Sequence, residues 1–386
     1  MRATRAIIHI DSLKRNIQLI RKRVGEGRLI CAPIKADAYG HGAAPVAKAC
    51  LEAGVQRLAV ATVDEGAELR AAGINAPILL LSFPMPDEYE SVVSLGLTPF
   101  VGDKALAAGL ERAAASLNAR DGAAVHLKVD TGMGRIGCAP EEAAELARFI
   151  ASLSHVRLEG VATHLAVSDS LKPEDIRYTQ EQIRRFVRVI EAIRKAGVDP
   201  GVVHAAASGG VLLHEEAWFD MARPGIVLYG YTPDPALAGL APFEPVMELV
   251  SHIVYIKQVK KGESVSYGRT WTAPCDTTIA TIPVGYGDGL NRLLSNNYSV
   301  LIKNKRYPIV GRICMDQCLV DLGKDGAACK KFEKVTIFGA KPACTAADMA
   351  EILHTIPYEI TCNINKRVPR VFEEAVCEGC GRARRT

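Results

Sequence analysis
From residue 29 to about 230, short apolar runs alternate with longer segments whose apolar residues recur every three or four positions, the pattern of repeated strand–helix units. Eight runs read as strands: 29–34, 57–61, 78–81, 97–101, 124–129, 158–163, 202–207 and a last one near 219–222. Helices fill the gaps. One over 43–53 stops at Gly54, one over 104–117 is rich in Ala and Leu, and Pro173 opens a long one over 174–196 that Gly197 closes. Eight such units close a (β/α)8 TIM barrel of about 200 residues.

The pattern changes after Gly230. A Pro-rich connection over 232–245 leads to β-branched alternating runs at 249–259, 277–283, 299–310 and 334–338, with one helical segment at 345–353. The expected fold is therefore α/β, a barrel over 1–240 followed by a mostly β C-terminal domain over 241–386. The opening run 5–10 precedes the barrel's first helix and suits a strand in either domain.

Composition acts mainly by exclusion. Forty-seven Lys and Arg against 43 Asp and Glu leave a net charge of +4 with no long basic block, which argues against nucleic acid and toward a small-molecule partner. Every apolar run is interrupted well short of the ~20 residues of a membrane span, and the start lacks a signal peptide's apolar core, so a cytoplasmic protein is expected. Eleven scattered cysteines, an odd number, fit reduced thiols better than a disulfide framework. Cys377 and Cys380 have zinc-ribbon or redox spacing without a second pair, so no metal site is expected.

Candidate chemistry lies at the strand ends, which converge on the catalytic face of such a barrel. The positions just past the runs are Lys35, Asp130, His164, Ser208 and Arg223. Each has an ordinary reading: a snorkelling lysine, a satisfied core histidine, a helix N-cap, half of an ion pair. Together they form a polar set on one face. A lysine desolvated at a strand end has a lowered pKa and can form a Schiff base with an aldehyde such as pyridoxal phosphate (PLP). Ser208-Gly209-Gly210 and Arg223-Pro224-Gly225-Ile226 follow the last two strands, where barrels commonly hold phosphate.

The tract Ile34-Lys35-Ala36-Asp37-Ala38-Tyr39-Gly40-His41-Gly42 resembles the cofactor signature of the alanine racemases. Further motifs follow in family order: the tract from Lys128 to Gly137, Thr163-His164, Ser266-Tyr267-Gly268, the tract from Gly285 to Gly289, and the tract from Gly311 to Gln317. This resemblance implies a PLP-dependent homodimer that interconverts L- and D-alanine by two-base proton transfer and supplies D-alanine for peptidoglycan. It implies that Lys35 binds the cofactor and serves as one base, and that Tyr267 of a second subunit serves as the other. Tyr39, Ser208, Gly225 and Ile226 resemble the phosphate-binding positions, His164 the residue packed beside the ring, and Arg223 the residue facing the pyridine nitrogen. Arg135 and Met315 resemble substrate-binding positions, and Lys128 matches a lysine that many members carry as a carbamate. Two departures stand out. Ala207 occupies the place of a usual asparagine, and Lys366 stands where a phosphate-binding tyrosine is expected, so the lysine is the candidate there. Alternatives are a serine or broad-specificity racemase, a barrel-type decarboxylase, or a non-catalytic PLP-binding protein. A single-domain binding protein has no use for the second domain, and a decarboxylase has none for a tyrosine opposite Lys35.

Overall fold
The computed structural model describes residues 2–119, 122–324, 326 and 329–374; Cys377 and Cys380 lie outside the described residues. Strand β1 (Arg5–His9) leads into the helix Ile10–Val24. Eight strands then form one sheet: β2 (Leu29–Pro33), β3 (Arg57–Val60), β4 (Ile78–Leu80), β5 (Leu97–Val101), β6 (Ala123–Lys128), β7 (Val156–Ala162), β8 (Val202–His204) and β9 (Met221–Ala222). Their spatial order is β8-β7-β6-β5-β4-β3-β2-β9, all ladders parallel. The seam between β8 and β9 is bridged by Asp220 N–H to Val203 O (3.0 Å) and Arg223 N–H to Ala206 O (2.9 Å), so the barrel is nearly closed.

Alternation along the strands sorts the core into two layers. Cys31, Ala59, Leu79, Phe100, Ala162 and Met221 pack together inside the barrel. Their neighbours Ile30, Leu58, Val60, Ile78, Val101 and Val161 face outward onto the helices.

Past the barrel come β10 (Met247–His252), β11 (Tyr255–Val259), β12 (Ser264–Val265), β13 (Trp271–Thr272), β14 (Thr277–Ile282), β15 (Ser299–Ile302), β16 (Lys305–Pro308), β17 (Cys318–Gly323), β18 (Lys334–Phe338) and β19 (Arg370–Glu373). The opening strand belongs here. In a six-stranded sheet ordered β16-β15-β18-β10-β1-β19, β1 pairs antiparallel with β10 and parallel with β19. The chain therefore starts in the β-rich part and crosses into the barrel through its first helix.

Two expected runs need correction. Run 249–259 is two strands in different sheets, because β10 pairs with β18 whereas β11 pairs with β14. Run 299–310 folds into the β15–β16 hairpin, since Lys303 and Asn304 both take positive φ (48° and 64°), as a tight two-residue turn requires. Among the described residues no helix is long and apolar enough to cross a membrane.

Candidate active site
The strand ends open on a cavity of about 410 Å³ at the barrel mouth. Lys35, Tyr39, Lys128, Arg135, His164, Ser208, Arg223 and Gly225 all line it, drawn together from segments spread over nearly two hundred residues. A larger cleft of about 940 Å³ lies outside the barrel, between the loop after β6 and the helix Pro173–Lys195. It holds Asp130 and none of the other candidates.

Lys35 is presented by an unusual turn. Just past it, Ala36, Asp37, Ala38 and Tyr39 all have φ between 52° and 55°, four consecutive left-handed residues with side chains. That conformation costs an L-residue about 1–2 kcal/mol, so the turn must be held from outside. Glu65 Oε1 accepts from Ala36 N–H (2.6 Å) and Asp37 Oδ1 accepts from Ala43 N–H (2.6 Å). Gly40 packs its bare Cα against Thr361 O, where a Cβ would lie only 2.2 Å away. The turn thus leans on the short helix Pro357–Cys362, and Arg370 Nε donates to Gly40 O (3.0 Å).

That contact carries a residue the sequence reading missed. Tyr358, on the same short helix, lines the cavity together with Ser208 and stacks obliquely on Tyr39 (centroids 5.7 Å apart). Lys366 does not line the cavity; it lies in an exposed turn beyond that helix. The correction has a physical cause: the helix folds back onto the lysine turn, which brings position 358 inward and leaves 366 outside. A tyrosine just past a helix-opening proline was visible in the sequence, but its packing against residue 39 was not.

Tyr39, Ser208 and Gly225 form a cradle. Gly225 N–H donates to Ser208 Oγ (2.9 Å), and a Cβ on Gly225 would lie 3.0 Å from the Tyr39 hydroxyl. Ile226, fully buried, begins the tight turn Ile226–Tyr229 behind it. Beside the cradle, Arg223 is clamped. Its Nη2 donates to Thr163 O and Ala205 O (3.0 Å each) and, at 3.3 Å, to His164 Nδ1.

Asp130 does not face the cavity. Its Oδ1 accepts from Gly132 N–H (2.9 Å) and Gly134 N–H (3.1 Å), and Cys138 N–H returns to Lys128 O (2.9 Å). It folds the loop that throws Arg135 over the barrel mouth.

The cavity is strongly basic. Lys35, Lys128, Arg135 and Arg223 line it together with no carboxylate. Burial, reinforced by Arg135 and Arg223, lowers the Lys35 amine below its ordinary value. Lys128, 3% exposed and donating to Val129 O, is lowered to about 7, chiefly by burial and then by Arg223. Burial and the neighbouring cations hold His164 neutral. Four basic side chains, a desolvated amine and a glycine-floored cradle fit an anionic aldehyde cofactor with a phosphate arm.

Tyr267 and Met315 lie elsewhere, on adjoining loops of the β-rich part, 70% and 53% exposed. The loops are tied: Ser266 Oγ donates to Arg312 O, and Gly311 abuts the Ser266 side chain. The Met315 loop is braced from beneath, where Gly287 N–H donates to Met315 O (2.9 Å) and the buried Asp288 accepts from Arg367 Nε (2.7 Å).

A barrel with a buried amine, a clamped arginine and a glycine-floored cradle at its mouth, followed by a β-rich part, has the form of the barrel class of PLP-dependent proteins. The comparisons narrow the class. Alanine racemase N-terminal domain matches residues 8–233 and the family's C-terminal domain matches 246–372. The chain is 51% identical over 377 residues to an alanine racemase of Treponema denticola, covering 96% of this chain and 98% of that one. It superposes on an alanine racemase of Clostridium difficile 630 with a TM-score of 0.91 at 38% identity, covering 97% and 96%. A Bacillus anthracis alanine racemase with bound L-Ala-P gives 0.88 at 34% identity, covering 98% and 96%. The chain belongs to the alanine racemase family, whose members depend on PLP.

Proposed function
We propose that this protein is a PLP-dependent racemase that interconverts L- and D-alanine, supplying D-alanine for peptidoglycan. One observation carries the reading: the desolvated Lys35 amine shares a cavity with Arg223, Arg135 and the Tyr39–Ser208–Gly225 cradle. Bound PLP supplies an aldehyde that condenses with amines and a conjugated ring that accepts electron density from Cα. Lys35 would hold the cofactor through its Nζ. Tyr39, Ser208, Tyr358 and the backbone of Gly225 and Ile226 would hold its phosphate, and His164 would pack beside it. Arg223 remains a cation at neutral pH, lowered only to about 10, and would face the ring nitrogen as a donor that cannot accept its proton. Arg135 binds the substrate carboxylate.

Racemisation needs a proton taken from one face of Cα and returned to the other. Lys35, its amine made more readily neutral by burial, serves the D-alanine face. Tyr267 serves the L-alanine face. Because Tyr267 and Met315 stand exposed on the β-rich part, we infer that a second copy brings them over the barrel mouth, Met315 contributing its backbone to the substrate site. Lys128, neutral in a substantial fraction near pH 7 and facing Arg135, suits carbamate formation, which would place an anion against that arginine. The nine described free thiols agree with a reducing cytoplasmic compartment. The test is a comparison of the protein and Lys35→Ala, each reconstituted with PLP. The variant is expected to lose both the absorbance of bound cofactor and the conversion of L-alanine to D-alanine; retention of both would sink the proposal.

A further inference from the structure
Barrel interiors are ordinarily filled by layers of apolar branched side chains. Here two fully buried histidines interrupt them. His204 Nδ1 meets Arg223 Nη1 at 2.5 Å, His204 Nε2 meets His126 Nδ1 at 2.7 Å, and His126 Nε2 meets Glu159 Oε2 at 3.3 Å. Glu159 Oε2 also takes Arg57 Nη1 at 2.6 Å. The direction of this chain follows by elimination. An arginine can only donate, so His204 Nδ1 accepts and its proton sits on Nε2. That proton is donated to His126 Nδ1, which forces the second ring's proton onto Nε2, facing the carboxylate.

The backbone is cut to fit. A Cβ on Gly160 would lie 2.6 Å from His126 Cε1 and 2.7 Å from His126 Nδ1, so a side chain there would displace the ring. The β6–β7 register shifts between Val125, paired with Leu158, and His126, paired with Gly160. Glu159 is the extra residue of that bulge, free of the ladder and able to turn its carboxylate to His126. Both rings stay neutral, chiefly through burial, while the hydrogen bonds from His126 and Arg57 keep Glu159 ionised.

We propose that Glu159, His126 and His204 are positioning residues forming a one-way hydrogen-bond relay that holds Arg223 against the cofactor ring from inside the barrel. The inference rests on the reading of Arg223 as the residue facing the ring nitrogen. A carboxylate directly on Arg223 would immobilise it but neutralise its charge. Two neutral imidazoles immobilise it equally well and keep the counter-charge two rings away, paired with Arg57.

The test begins with the full protein labelled with 15N at histidine. Nitrogen chemical shifts are expected to show His126 and His204 neutral and protonated on Nε2; an imidazolium or an Nδ1–H tautomer on either ring overturns the relay, with no variant needed. In Glu159→Leu the His126 Nε2–H loses its acceptor, so the His204 signal, one ring removed, is expected to shift. Glu159→Gln keeps an acceptor oxygen and is expected to restore it. In the PLP-loaded protein, Glu159→Leu is expected to move the cofactor's absorbance maximum and lower kcat about tenfold with little change in KM, a size typical of outer partners of a site residue. Arg223→Lys separates the two layers of the argument. A maximum moved by Arg223→Lys but not by Glu159→Leu overturns the relay's coupling to the ring. A maximum unmoved by both overturns the placement of Arg223 on the ring, and the coupling with it.

Discussion

Replacing Gly40 with alanine tests the contact that shapes the Lys35 turn. Gly40 has φ +83°, and a Cβ there would lie 2.2 Å from Thr361 O and 2.9 Å from its carbonyl carbon. Two costs follow. A side chain in the left-handed region costs about 1–2 kcal/mol, and overpacking a filled contact adds about 1–3 kcal/mol, for a sum of about 2–5 kcal/mol. The obstacle is backbone and cannot rotate away, so either the lysine turn or the helix Pro357–Cys362 must move. With an unfolding entropy of about 2.1 cal/mol/K per residue, 386 residues give about 0.8 kcal/mol/K, and Tm should fall by about 3–6 °C. Gly54→Ala is the control, since φ is +89° but no atom lies within 4 Å of its added Cβ. It incurs only the first cost, a fall of about 1–2 °C. Scanning calorimetry of the three cofactor-free proteins measures this difference, and PLP titration measures its local effect. Gly40→Ala should bind PLP more weakly because Lys35 and Tyr39 are displaced, whereas Gly54→Ala should bind normally. Equal Tm losses, or unchanged PLP affinity in Gly40→Ala, would refute the account of this turn.

Tyr358→Phe removes a hydroxyl that lines the cavity and would donate to the phosphate, and should weaken PLP binding about fivefold, the worth of about 1 kcal/mol, whereas Lys366→Ala should change it less than twofold; the reverse ranking would return the phosphate role to Lys366. For Lys128 the folded value of about 7 lies below the ordinary 10.5, so unfolding takes up a proton across that window and stability rises with pH from about 7 toward 10.5. Denaturant titrations at pH 7 and 9 should therefore show a steeper pH dependence for the cofactor-free protein than for Lys128→Met, and equal slopes would contradict the burial argument. In bicarbonate, mass spectrometry under mild conditions should find one added CO2 that Lys128→Met lacks; an unmodified amine at full occupancy contradicts the carbamate. Tyr267→Phe should severely impair racemisation, and specific activity should fall on dilution as subunits part; full activity in a demonstrated monomer would discard the shared site.

The barrel was legible because most of its strands are short, largely apolar runs bounded by helix signals, and β5 spans the expected 97–101. The runs overshot at the mouth. The expected strand 202–207 ends at His204, since the carbonyls beyond it turn to the site, Ala205 O accepting from Arg223 rather than joining a ladder. Asp130 was misread for a related reason: position past a strand end says nothing about rotation, and its carboxylate is used by the loop's own amides. The pairing of β1, the approach of Tyr358 and the role of Glu159 at a bulge all depend on contacts between distant segments. No local pattern encodes them.

The central claim is tested most directly by incubating the PLP-loaded protein with a panel of L-amino acids and resolving the products by chiral chromatography. The account predicts D-alanine from L-alanine, approaching an equal mixture from either enantiomer, with serine and the other amino acids converted more slowly. Release of CO2 with formation of the amine, or no D-alanine from protein with bound PLP, would contradict it.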